Sequence, residues 1–251
     1  MRPITLQPTP KDKDGNKITV NTYQDWRDDL LKAYGPHCAY CNIRISGGPK
    51  PVDHIVAQVN SEVDPLDFSN LVLACSNCNT YKSDKEYNHT NHYLPTYHNT
   101  HIIFEYTVRF HSIYTKRAAC IPVPSTQLDE VQKAKAQTVI RIFKLDQVER
   151  EAGDDDAHRD DRWLNRHLVY EAAQHQKRLW NVLTEENQRL AYIDCLKQTV
   201  NANGFFSIWY KEFEDIPRLL QVILEAFPNT ALEAFDSQNG HLPIDRPNFP
   251  I

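Results

Sequence analysis

Two Cys-x-x-Cys pairs, CAYC at Cys38 and Cys41 and CSNC at Cys75 and Cys78, lie 33 residues apart in a chain of 251. A two-residue gap lets paired thiolates grip one ion from a tight turn, and four thiolates complete a tetrahedral zinc site. Cys38, Cys41, Cys75 and Cys78 are therefore expected to hold a structural Zn²⁺ that supplies folding free energy to the segment between them. Such a site has no open position for substrate or activated water, so this zinc is not the ion of a reaction. The other two cysteines, Cys120 and Cys195, have no partner cysteine nearby and read as small apolar residues close to the core.

No apolar run approaches the ~18–20 residues that span a bilayer, and the N-terminus lacks the apolar stretch of a signal peptide. The expectation is a soluble, cytoplasmic protein with no membrane partner. A formal charge of −5 argues against coating nucleic acid by bulk attraction. The charge is uneven. Residues 101–150 carry 8 Lys/Arg against 5 Asp/Glu, whereas residues 151–251 carry 10 against 17, so acidity is concentrated in the C-terminal half.

Along the chain, residues 1–22 have no apolar period and read as an extended, loosely attached arm. TYQDWRDDLLKAY predicts a helix capped at Thr22, with Trp26, Leu30 and Ala33 on one face and a stop at Gly35-Pro36. ISGGPKPVDHIV suggests a hairpin at its Gly-Gly pair, and a short helix is expected from Ser76. The histidines at 89, 92, 98 and 101 lie in a polar stretch that reads as a surface loop, and IIFEYTVRF favours a strand. LDEVQKAKAQTVIRIFKLD predicts an amphipathic helix with Val131, Ala134, Thr138, Ile142 and Leu145 on its stripe. GDDDAHRDD reads as a solvated loop; helical patterns follow from Trp163 to about Thr199 and from Ile216 to Phe227. The aromatics of GFFSIWYKEF are expected in the core rather than stacked on bases.

Between the cysteine pairs, PVDHIVAQ places Asp53 directly before His54; Asn70 follows in SNL, and Asn79 in CNTYK nine positions later. This constellation resembles the HNH family of ββα-metal nucleases, in which an Asp or His precedes the general-base His on the first strand. In that family an Asn braces the connecting loop, and a His or Asn sits on the helix. Many of its members also carry a zinc staple. The resemblance covers residues 36–86 and implies a ββα-metal module there; with the residue patterns it gives an expected α+β fold of an HNH module over 23–95, a strand-containing connection over 96–128 and an α-helical C-terminal region over 129–251. DDRWLNR and GFFSIWYKEFED are similar to segments of free-standing bacterial HNH proteins.

The resemblance implies that His54 takes a proton from water, an ordinary task for an imidazole titrating near pH ~6.5. Asp53 and Asn79 would hold one hard divalent ion, Mg²⁺ or Mn²⁺, through oxygen, and Asn70 would hold the loop and orient the His54 ring. Lys82 and Lys85 are candidates for phosphate contacts, and residues 101–150 for a second basic surface. The substrate class implied is DNA, with RNA left open. Two alternatives stand beside this endonuclease: a partner-activated subunit like the HNH proteins of anti-phage systems that pair with an ATPase, and a non-catalytic zinc-ribbon binding module. One HNH centre per chain leaves nicking and a homodimer equally open.

Overall fold

The computed structural model describes residues 1–47, 51–60, 62–111, 117–148 and 160–251. The first predicted helix forms in two steps, a 3-10 turn over Tyr23–Trp26 and then α1 over Arg27–Tyr34. The Asp25 carboxylate accepts from the backbone N–H of Asn21 and Thr22 and from the Thr22 hydroxyl, which fixes the entry turn. Trp26 and Leu30 are buried as the spacing requires, and Trp26 Nε1 donates to Leu66 O at 2.9 Å. Gly35 ends the helix at φ +73°, a backbone conformation that glycine adopts without strain.

β1 (Val52–His54) pairs antiparallel with β2 (Leu71–Leu73), placing Asp53 opposite Val72 and His54 opposite Leu71. α2 (Ser76–Lys82) follows at once, with Cys75 as its N-cap. This is the ββα order, but the pairing is not the local hairpin expected at the Gly-Gly pair. The partner of β1 lies across the 55–70 loop because Leu71, Val72, Leu73 and Ala74 form a fully buried run that needs a strand beside it. Gly48 lies outside the described residues.

β3 (Phe104–His111) and β4 (Arg117–Pro124) form an antiparallel ribbon, and α3 (Glu130–Phe143) starts from a capping box of Asp129 and Gln132. The helix is where the sequence places it, and Ile142 and Leu145 of the expected stripe are buried, but its N-terminal part is not. Ala136, Val139, Ile140, Ile142 and Phe143 are inside, while Val131 is 78% exposed and Ala134 is exposed too. Phe143 sets that phase by stacking on Tyr40, with centroids 4.3 Å apart, and meeting Tyr87 edge-on. α4 (Arg162–Val182), α5 (Glu186–Asn203), α6 (Phe206–Glu212) and α7 (Pro217–Ala226) complete an α-rich half. Phe205, Phe206, Trp209, Tyr210 and Phe213 lie in its core, as expected.

Four other expectations change. The arm over 1–22 has no helix, but it is not loose: Arg2 is buried and donates to Pro228 O, Thr230 Oγ1 and Tyr34 O, and Ile4 bridges to Thr230. His92, His98 and His101 are buried rather than on a surface loop; His98 Nδ1 accepts from Leu94 N–H and His92 Nδ1 from Asn88 N–H. Cys120 is buried as expected, whereas Cys195 is exposed on α5. Of the acidic GDDDAHRDD stretch only Asp160 and Asp161 are described, and Asp160 is buried against Arg162. Among the described residues no helix is long and apolar enough to cross a membrane.

Candidate active site and metal centre

The four cysteines of the two pairs converge, their sulfurs all within 4.8 Å of one another and those of Cys41 and Cys75 3.7 Å apart. A tetrahedral zinc with Zn–S near ~2.3 Å needs sulfurs roughly 3.8 Å apart, so the cluster fits that ion. The turn carrying Cys38 and Cys41 closes through Asn42 N–H to Cys38 O and docks on β2 through Ala39 N–H to Leu73 O, both at 2.9 Å. Asn42, at φ +62°, then reaches the C-terminal half, its backbone and side-chain oxygens accepting from Phe205 and Phe206 N–H. Sequence reasoning missed one member of the cluster. Arg162 at the start of α4 donates from Nη1 to Cys78 Sγ at 3.1 Å while its other nitrogens hold Asp160, Phe143 O and Lys144 O. Its signal in the sequence was only an Asp-x-Arg at a helix start.

Asp53 sits in the middle of β1, 8% exposed, with every oxygen engaged. Tyr40 O–H donates to its Oδ2, and Lys82 Nζ donates to Oδ1 and pairs with Oδ2, at 3.3 Å each. Burial raises the Asp53 pKa, with Lys82 and Tyr40 pulling it the other way. Lys82 Nζ also donates to His54 O at 2.6 Å and has no exposed surface. The reading of Lys82 as a phosphate contact is therefore corrected: an ammonium sealed against Asp53 cannot meet a substrate backbone. Lys85 is exposed, with Nζ on Tyr81 O.

The His54 ring points away from Asp53, as neighbours on a strand do. Its Nε2 lies 2.9 Å from Pro65 O and 3.3 Å from Gln58 Nε2, and Tyr23 meets the ring edge-on at 4.6 Å. A carbonyl only accepts, so the shorter contact assigns the proton to Nε2 and leaves Nδ1 with its lone pair. Asn70 clamps the chain just past His54: Oδ1 accepts from Val56 N–H at 2.9 Å, Nδ2 donates to Val56 O at 3.1 Å, and Asn70 O accepts from Ile55 N–H at 2.8 Å. Its amide ties the loop to itself, while the hydrogen bond of the ring runs to Pro65 O rather than to Asn70, and Gln58 Nε2 only lies nearby. Tyr23, Tyr40 and Pro65 carried no recognisable signal in the sequence.

Asn79 lies on α2 three residues before Lys82, hence on the face turned to Asp53. Among the described residues its side-chain amide makes no hydrogen bond, and it is partly exposed. Residues 38–85 match the family model of the HNH endonuclease. They form an HNH domain. Comparison with curated proteins and with solved structures finds no match. The HNH domain holds all four cysteines together with Asp53, His54, Asn70 and Asn79, and it ends before β3. A domain of this kind points to a nuclease acting on nucleic acid, and its four-cysteine cluster points to zinc.

Proposed function

We infer that the protein is a divalent-metal-dependent endonuclease that hydrolyses DNA phosphodiester bonds, stapled by a separate structural zinc. The observation that carries this reading is the divided labour around β1. His54 turns one face to a carbonyl that leaves Nδ1 able to accept a proton, and Asp53 turns the other way toward the helix face bearing Asn79. Asp53 and Asn79 together offer hard oxygen donors, and the unpartnered Asn79 amide suits an ion that keeps most of its waters. Mg²⁺ or Mn²⁺ bound there would neutralise charge developing on the phosphate and the leaving oxygen.

His54 Nδ1 takes a proton from the attacking water while Pro65 O holds the Nε2–H and so preserves the tautomer. Asn70 fixes the backbone at Ile55 and Val56, which keeps His54 at the end of β1 from drifting with the 55–70 loop. Lys85, exposed just beyond the C-terminal end of the same helix, would contact a flanking phosphate as a point charge. Cleavage of supercoiled plasmid by wild type and His54→Ala, with Mg²⁺, Mn²⁺ or EDTA, tests the reading. Metal-dependent nicking that disappears in the variant is expected; equal nicking by both removes His54 from the mechanism.

A further inference from the structure

Lys82 lies in the HNH domain with no exposed surface. An ammonium with no exposed surface is costly unless it is fully paired, and lysine is among the residues least often buried. Here its bonds go to the two residues on which the reaction depends, the carboxylate of Asp53 and the carbonyl of His54. The same helix face carries the unpartnered Asn79 amide one turn earlier. Asp53 therefore has a cation beside it already, supplied by the chain.

Resting on the nuclease reading above, we propose that Lys82 is the resident counter-ion of the metal site, a positioning residue that pairs with Asp53 and keeps its oxygens aimed while no divalent ion is bound, and thereby sets the affinity for that ion. Two consequences follow from charge alone. A divalent ion arriving at Asp53 meets an ion pair of net charge zero instead of a bare carboxylate, which weakens its binding. The carboxylate needs no rearrangement to receive it, because Tyr40 and Lys82 fix both oxygens from the interior side. The site gives up affinity and keeps its geometry.

The test is calorimetric titration of the zinc-loaded full chain with Mn²⁺, using wild type, Lys82→Gln, Lys82→Arg and, to mark the site, Asp53→Asn. Glutamine keeps a donor for His54 O and removes only the charge, so Lys82→Gln is expected to bind Mn²⁺ about tenfold or more tightly than wild type, as loss of a like charge on the same carboxylate requires. Lys82→Arg should stay within about threefold of wild type, and Asp53→Asn should lose the heat. A merely structural Lys82 would lower the melting temperature without moving affinity with charge in this way. Equal or weaker Mn²⁺ binding by a folded Lys82→Gln overturns the proposal. If Lys82→Gln does not fold, the wild-type ammonium answers instead: its side-chain ¹⁵N resonance should shift as Mg²⁺ saturates the site, and an unmoved resonance overturns the proposal. Plasmid nicking separates the two readings. Metal-dependent nicking with equal affinities in wild type and Lys82→Gln sinks the role of Lys82 alone; neither nicking nor Mn²⁺ binding by any form sinks the nuclease, and the proposal with it.

Discussion

Arg162→Met should loosen the protein at both its zinc cluster and its C-terminal half. The guanidinium is 2% exposed, holds Asp160 through contacts of 2.7–3.1 Å, and donates to Cys78 Sγ, Phe143 O and Lys144 O. Methionine fills the space but leaves the buried Asp160 carboxylate without its partner, and removing one member of a buried pair costs about 3–5 kcal/mol. For a chain of this size about 2–4 °C are lost per kcal/mol, so the melting temperature should fall by roughly 6–20 °C. The Cys78 sulfur loses its charged donor from α4, and loss of an outer-shell partner typically costs about 10–100-fold in metal affinity. Scanning calorimetry and a chelator competition measure the two effects independently. Arg162→Lys, which keeps the charge but not the fork, should fall between wild type and Arg162→Met. If Arg162→Met melts within about 2 °C of wild type and holds zinc equally well, then the ion pair is not what joins α4 to the cluster.

His54→Ala should reduce nicking by about 10²–10⁴-fold, the usual contribution of a general base, with zinc content unchanged because the ring is not a zinc ligand. Cys75→Ser should lose zinc, measured by atomic absorption, and melt earlier, since zinc affinity contributes directly to folding; a zinc-free variant that melts like wild type would refute this. His101 gives a pH dependence. Burial lowers its pKa from 6.5 to about 3 in the folded chain, so the unfolded chain binds the extra proton between those values. Its stabilising contribution is complete above pH 6.5 and is lost progressively as pH falls toward 3, amounting to about 2 kcal/mol between pH 7 and pH 5. His101→Phe, which keeps a ring against Tyr210, should lose that increment in urea titrations at the two pH values; an identical pH dependence would show that His101 does not titrate on unfolding.

The zinc cluster was legible because Cys-x-x-Cys spacing is ligand chemistry that holds whatever surrounds it. The ββα order was legible only through the motif. LVLA has no period, and its partner strand lies across the 55–70 loop. α3 was read correctly as a helix but with the N-terminal part of its stripe misplaced, because the apolar positions admit more than one face and Tyr40, far away in the chain, stacks on Phe143. Lys82 shows the same failure more sharply. A lysine in a short polar helix reads as solvated, and what buries it is a carboxylate 29 residues earlier. The buried histidines misled for a related reason: two of them satisfy nearby backbone N–H groups inside irregular chain, a pairing that no composition rule detects.

What joins the zinc to the candidate active site is the phase of α2. Cys75 caps that helix and Cys78 lies in its first turn, so two of the four sulfurs fix both where the helix starts and how it is rotated. The opposite pair rests on β2 through Ala39 N–H to Leu73 O, and β2 is hydrogen-bonded to the strand that carries Asp53 and His54. Successive residues of a helix differ by about 100°, so a slip of a single residue would swing Lys82 off Asp53 and turn Asn79 with it. Packing alone gives this helix little to hold its phase, since α2 buries only Cys78 and Lys82. On the nuclease reading, a zinc held by these four sulfurs would have no open coordination position, yet it would serve the reaction by aligning the helix that supplies one of the two proposed ligands of the second ion.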